Sequence, residues 1–218
     1  MTIKQFVFNA FSENTYLVYD ETNECIIIDP GCYDQSEKAT LKDFITKNKL
    51  KVTSLINTHC HIDHVLGNYF VKHEFDVDLI IHERDKATLK ANEIVAPMYG
   101  FNAYEAAEAD RFIEEGDLIK FGNSVLKVIF LPGHAPGHIA LVNESEKICI
   151  GGDVLFQQSI GRTDLPGGDF ETLMSSIKQK MFMLADDVTV YCGHGPSTNI
   201  GFEKQNNPFC GANANYNQ

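Results

Sequence analysis

Three histidines and an aspartate, all able to bind a metal ion, fall within six consecutive residues, His59-Cys60-His61-Ile62-Asp63-His64. No other feature limits the fold so tightly. Ionisable groups crowded in this way repel or desolvate one another unless a cation sits among them. A lone histidine is usually a packing or surface residue, whereas three with an aspartate at this spacing read as a metal site. Positions 52–57 just before the run are apolar and β-prone, so it starts where a predicted strand ends. Gly67 and a helical pattern at Tyr69, Phe70 and Phe75 follow it. Residues two apart in an extended chain point the same way. His59 and His61 therefore share one metal, and Cys60 and Ile62 turn toward the protein. Where the chain coils, Asp63 and His64 face another side and serve a second metal. Imidazole and carboxylate suit zinc, and also manganese and iron.

Three later strand ends carry the same kind of donor after a glycine-rich turn: Pro132-Gly133-His134, Gly151-Gly152-Asp153 and Gly193-His194-Gly195. Glycine lets the backbone turn sharply and brings a ligand close to a metal. Each is a weak signal alone; together, in this order, they are specific.

The surrounding pattern supplies strands at 3–8, 15–19, 24–28 and 52–57, and a helix over 36–47 with Ser36 as its N-cap. Strands at 118–121 and 125–130 flank Gly122-Asn123, a tight hairpin. A second pair, 139–142 and 148–150, surrounds a polar turn. Phe170, Leu173, Met174, Ile177 and Met181 mark one face of a helix capped by Asp169, and 189–192 is a last strand. The expected fold is two similar β-rich halves packed face to face with helices outside, as one domain over 1–209, with a frayed tail at 210–218.

Composition decides which partners fit. A net charge of −12 over 218 residues repels phosphate backbones and anionic lipid, which argues against nucleic-acid and membrane partners; the expected partner is a small-molecule substrate. The first 20 positions alternate polar and apolar residues without a signal-peptide pattern. The six cysteines form no C-x-x-C pair and read as free thiols, so the expected location is cytoplasmic. Oligomeric state is not written in the sequence.

The chain resembles the metallo-β-lactamase superfamily along essentially its whole length. The pattern H-x-H-x-D-H is met by His59, His61, Asp63 and His64, and the later His, Asp and His by His134, Asp153 and His194. The resemblance implies an α+β fold, a four-layer αβ/βα sandwich. It implies that His59, His61 and His134 hold one divalent ion, that Asp63, His64 and His194 hold the other, and that Asp153 bridges them. Zinc is the expected metal, with iron and manganese as alternatives. The flavodiiron branch has Glu where His61 stands, which disfavours oxygen reduction of that kind. Gly151–Phe156, Gly161–Asp169 and the run Gly193-His194-Gly195-Pro196-Ser197-Thr198 are similar to the short glyoxalase II-like hydrolases. The expected departures from classical glyoxalase II are the lack of an extra C-terminal helical domain and Arg162-Thr163 where that enzyme has a Lys-containing segment.

The implied reaction is thioester hydrolysis. Two divalent ions about 3.5–4 Å apart share a water and lower its pKa toward roughly 7, giving a hydroxide that attacks the carbonyl. Asp63 orients that hydroxide as well as binding metal. Arg162 either grips a substrate carboxylate or forms an ion pair with Asp164 or Asp169. His138 reads as a supporting or strand-start residue, and His73 and His82 as ordinary ones. Cys60 and Cys192 have packing roles, and Tyr99, Phe101 and Tyr104 wall a pocket or fill the core. The rivals are a mononuclear iron persulfide dioxygenase, whose relatives share a Gly-Arg-Thr-Asp run like 161–164, and a lactonase, nuclease or phosphodiesterase. A non-catalytic metal-binding module is disfavoured by the complete ligand set.

Overall fold

The computed structural model describes residues 1–214. Tertiary contacts divide the chain into two compact units, Met1–Ile113 with Ile119–Val125, and Glu114–Leu118 with the chain from Leu126 onward.

In the first unit β1 (Thr2–Phe8), β2 (Glu13–Tyr19) and β3 (Glu24–Ile28) form an antiparallel meander. Helix α1 (Gln35–Lys47) crosses to β4 (Lys51–Ile56), and α2 (Ile62–Val65) and α3 (Asn68–Phe75) lead to β5 (Leu79–His82). A 3-10 turn (Glu83–Asp85) and α4 (Lys86–Met98) lead to β6 (Arg111–Ile113). The six strands lie in sequence order, and β3, β4, β5 and β6 are parallel. Their C-terminal ends therefore share one edge, where open α/β sheets place their ligands. Cys25, Ile26, Ile27 and Ile28 of β3 are all fully buried, as a strand covered on both faces requires. Leu17, Ile27, Leu41, Leu55, Val71 and Ile81 build the core of this unit.

One expected cap moves. The N-cap of α1 is Asp34, not Ser36: its carboxylate accepts from the N–H groups of Ser36 and Glu37, while the Glu37 side chain accepts from the backbone of Asp34. A carboxylate with glutamate three residues on satisfies donors at both ends of a capping box, and the Ser36 hydroxyl merely donates to Asp34.

The second sheet is built from β7 (Leu118–Phe121), β8 (Ser124–Phe130), β9 (Ile139–Asn143), β10 (Ile148–Gly152), β13 (Thr189–Cys192) and β14 (Thr198–Asn199), in the order β14-β13-β10-β9-β8-β7. Between β10 and β13 lie the small hairpin β11 (Leu155–Phe156) with β12 (Ser159–Ile160) and helix α5 (Phe170–Gln179); α6 (Ile200–Asn206) follows β14. Asp169 caps α5 through the N–H of Thr172. Met181 stands beyond the end of α5, in a 3-10 turn, and still packs with Leu173, Met174 and Ile177 in the core of this unit. Of the C-terminal segment, Cys210 is buried and the N–H groups of Gly211 and Ala212 are hydrogen-bonded to Asn207 and Lys204; positions 215–218 lie outside the described residues.

The tip of the β7–β8 hairpin packs within the first unit. Gly122 turns with φ +53°, and a Cβ there would meet the Asp20 carboxylate 2.4 Å away. Asp20 accepts from the Thr22 hydroxyl, the Asn123 N–H and the Ser124 hydroxyl. Burial alone would raise its pKa, but these hydrogen bonds outweigh it and bring the carboxyl from 3.8 down to about 2. No helix among the described residues is long and apolar enough to cross a membrane.

Candidate metal centre

The first group of donors continues β4 beyond the end of its ladder. The N–H of Asn57 still pairs with Ile80 of β5, but the next residues leave the sheet and take side-chain acceptors. Asp29, directly after β3, accepts from the Thr58 N–H at 2.6 Å and the Thr58 hydroxyl at 2.5 Å. Its Oδ2 also lies 3.2 Å from His64 Nδ1. Thr58 Oγ1 in turn lies 3.2 Å from His59 Nδ1, so one carboxylate orients His64 directly and His59 through a hydroxyl.

The ring of His59 lies 4.8 Å from that of His61 and 4.1 Å from that of His64. His61 is extended and stands at the N-cap of α2; the helix then turns Asp63 and His64 to a different side. His59 and His64 are buried, whereas His61 and Asp63 are half-buried. Cys60 and Ile62 point into the core of the first unit.

The second group comes from three separate loops. Gly133 has φ +127°, and a Cβ there would lie 2.2 Å from the backbone nitrogen of Leu173, so only glycine fits before His134. His134 Nδ1 is 2.8 Å from the carbonyl of Arg162. A Cβ on Gly161 would fall 2.0 Å from the Asp153 carbonyl, which is the close approach that brings this loop against His134. Asp153 Oδ2 lies 3.6 Å from His134 Nε2 and 3.4 Å from His194 Nε2. His138 is fully buried, and its Nε2 accepts the N–H of Asp153 at 3.0 Å, which assigns its proton to Nδ1 and makes it a support for Asp153. Buried Glu203 of α6 accepts from the Thr198 hydroxyl and the Gln158 N–H, tying the chain after His194 to the hairpin after Asp153.

Both groups pass the same chemical test for a cation. His59, His64 and His134 engage protein oxygens through Nδ1, and Nε2 of His64 and of His134 lies toward a carboxylate. The separations from Asp153 to the two imidazoles, and the 3.6 Å from His64 Nε2 to Asp63 Oδ2, are too long for good hydrogen bonds. Asp29, His59 and His64 each bring a ligand atom within 4.8 Å of the others, a clustering of imidazole and carboxylate that suits a metal ion.

Several residues outside the sequence motifs matter. Asp29 stands outside every motif, directly after β3. Glu13, on β2, is fully buried with Oε1 3.8 Å from His64 Nδ1; burial pushes its carboxyl well above the ordinary range. Asp85 and Asn92 hold the backbone of Cys60. The guanidinium of Arg162 makes a two-pronged pair with Asp164, both bonds 2.7 Å, on the exposed surface. His73 stacks on Tyr69 and bonds its carbonyl, and His82 accepts from the Arg84 N–H. Phe101 is buried against Tyr33, while Tyr99 stays half-exposed beside Phe11. All six cysteines are buried and unbridged. Burial pushes Cys25, Cys149, Cys192 and Cys210 up to about 12, so none of these four supplies a thiolate at neutral pH.

The profile of the metallo-β-lactamase superfamily matches residues 9–194. The chain belongs to this superfamily. It is 39% identical over 211 residues to the hydroxyacylglutathione hydrolase GloC of Haemophilus influenzae, covering 96% of this chain and 98% of that one. Among solved structures, the BLEG-1 B3 metallo-β-lactamase superposes with a TM-score of 0.87 at 32% identity, covering 96% of this chain and 99% of that one. A protein solved in a di-iron-bound form, TTHA1623, gives 0.82 at 31% identity, with 94% and 99% covered. ETHE1 from Myxococcus xanthus gives 0.79 at 25% identity, with 96% and 84% covered. The metallo-β-lactamase fold is thus shown, and the protein is a hydrolase of this superfamily with histidine and aspartate groups suited to metal.

Proposed function

We propose that this metallo-β-lactamase superfamily member is a binuclear, glyoxalase II-like thioesterase acting on a (hydroxy)acyl thioester in the cytoplasm. The observation that carries this reading is the donor chemistry: histidines anchored through Nδ1, with carboxylates beside their Nε2 atoms. The kinship to a hydroxyacylglutathione hydrolase along nearly its full length supports the substrate class. In this reading His59, His61 and His134 hold one divalent ion, Asp63, His64 and His194 the other, and Asp153 both. Zinc is the first choice and iron the second, the latter favoured by the di-iron relative. A bound pair of such ions supplies a water of lowered pKa and polarises a carbonyl.

The chain's own residues do the rest. Asp63, half-buried, would accept a hydrogen bond from the attacking hydroxide at its carboxylate and so aim it. Asp29 and the Arg162 carbonyl fix imidazole orientation, so the donors need no rearrangement on binding substrate. A thiolate leaves without a strong general acid, since its conjugate acid has a pKa of about 8.5. The Arg162 guanidinium exchanges Asp164 for a carboxylate of the substrate; Arg162→Ala is expected to raise KM several-fold with kcat little changed, measured by steady-state kinetics. The second reading, a mononuclear iron persulfide dioxygenase, draws on the run Gly161-Arg162-Thr163-Asp164.

The deciding experiment measures metal content of protein purified without added metal or chelator. S-D-lactoylglutathione hydrolysis and oxygen uptake on a persulfide are assayed on the same sample. Two ions per chain with hydrolysis, lost in Asp153→Ala, is the expected result. One iron with oxygen uptake and no hydrolysis would overturn it.

A further inference from the structure

Beyond its donors, the histidine segment depends on something outside every motif. The segment 57–61 continues β4 at the edge where its two neighbours, β3 and β5, also end. From Thr58 on it has left the ladder, and through Cys60 it is buried, so these amide groups need new partners; a buried N–H without one costs about 1–3 kcal/mol. The chain just beyond each neighbouring strand supplies a carboxylate. Asp29, after β3, takes the Thr58 N–H. Asp85, after β5, takes the Cys60 N–H at 2.8 Å through Oδ2. Asn92 of α4 then donates to the Cys60 carbonyl at 2.9 Å. Both backbone groups of the residue between His59 and His61 are thus held by side chains from one neighbouring element.

The placement of Asp85 shows what its carboxylate is for. It occupies the N-cap position of α4, where aspartate ordinarily bonds the first free N–H groups of a helix. Its side chain makes no such capping bond. The fully buried carboxylate turns instead to Cys60. His82 contributes one step earlier, because its Nδ1 accepts the Arg84 N–H and shapes the turn that delivers Asp85.

We propose that Asp85, assisted by Asn92, is a positioning residue that sets the mutual orientation of His59 and His61 by holding the Cys60 peptide. The proposal rests on the metal-binding reading above but not on the substrate. Apo protein is titrated with zinc against a chromophoric chelator, and cobalt-loaded protein is examined by its d–d spectrum. Removal of a supporting group around a metal typically costs 10–100-fold in affinity. Asp85→Ala is expected to weaken one of the two ions by about that factor and to alter the cobalt spectrum. Asp85→Asn keeps an oxygen acceptor for the Cys60 N–H and is expected to restore most of the affinity.

Wild-type affinity in Asp85→Ala would overturn the proposal, as would an equal loss in Asp85→Asn, which would make charge the operative property. If Asp85→Ala does not fold, Asn92→Ala provides the second arm: a loss of about threefold or more is expected, and none would overturn the proposal. Wild-type protein that binds two ions but hydrolyses no thioester would sink the substrate reading alone. Asp85→Ala protein that binds both ions as tightly as wild type would sink this one alone.

Discussion

The two donor groups are built in opposite ways. In the first unit, His59, His61, Asp63 and His64 come from one continuous segment, held from below by Asp29 and Asp85 at the ends of parallel strands. In the second unit, His134, Asp153 and His194 come from three loops, joined by the Arg162 carbonyl, His138 and Glu203. His64 is completely buried, whereas the His194 side chain is 27% exposed. A continuous segment places donors through its own backbone and needs buried carboxylates to hold that backbone. Separate loops need glycines that let them approach and a network that ties them together. The first group should therefore couple strongly to folding, and the second more to metal and substrate.

The largest effect is expected at the base of the first group. Asp29→Ala leaves the Thr58 N–H, the Thr58 hydroxyl and His64 Nδ1 without the acceptor they share. It should lower stability by about 3 kcal/mol in urea unfolding of the apo protein. A loss below about 1 kcal/mol would break the contrast. Next comes the glycine of the second group. Gly133→Ala forces both a strained φ and a backbone clash with Leu173, and is expected to cost about 2 kcal/mol.

A smaller effect is expected from the Asp20 clamp on the β7–β8 hairpin. Because its folded pKa of about 2 lies below the ordinary 3.8, its contribution is present above pH 3.8 and lost as pH falls toward 2. Thermal melts of wild type and Asp20→Asn should therefore converge across that window, and parallel curves would show that the clamp does not titrate with folding. The smallest change in stability is expected for His194→Ala, which should shift apo unfolding by no more than about 0.5 kcal/mol. The same variant should lose more than about 100-fold in affinity for one ion. An apo protein destabilised as much as Asp29→Ala would erase the distinction between the groups.

Legibility in the sequence followed this difference. The first donors were readable because a strand's two-residue period and the turn into a helix are local properties, and the backbone of 59–64 behaves accordingly. The strand at 79–82 and the helix Lys86–Met98 passed unread: the first is only four residues long, and the second carries Pro97 near its end. Asp85 and Asn92 lie there, so the support for Cys60 was invisible with them. Asp29 follows a strand, and nothing local distinguishes an aspartate there from one that holds a histidine thirty-five positions away. At position 162, the side chain drew attention as a substrate grip, while the structure gives the backbone carbonyl a defined task, orienting His134.

The sequence by itself determined the superfamily, the two-sheet α+β architecture and the identity of the candidate donors, because each is fixed by residue type and short-range spacing. Only the tertiary structure decided which ring nitrogen each anchored histidine offers, which carboxylates support rather than bind, and which glycines are irreplaceable. Those properties depend on hydrogen bonds and close approaches between residues far apart in the chain, and such contacts leave no periodic trace in sequence.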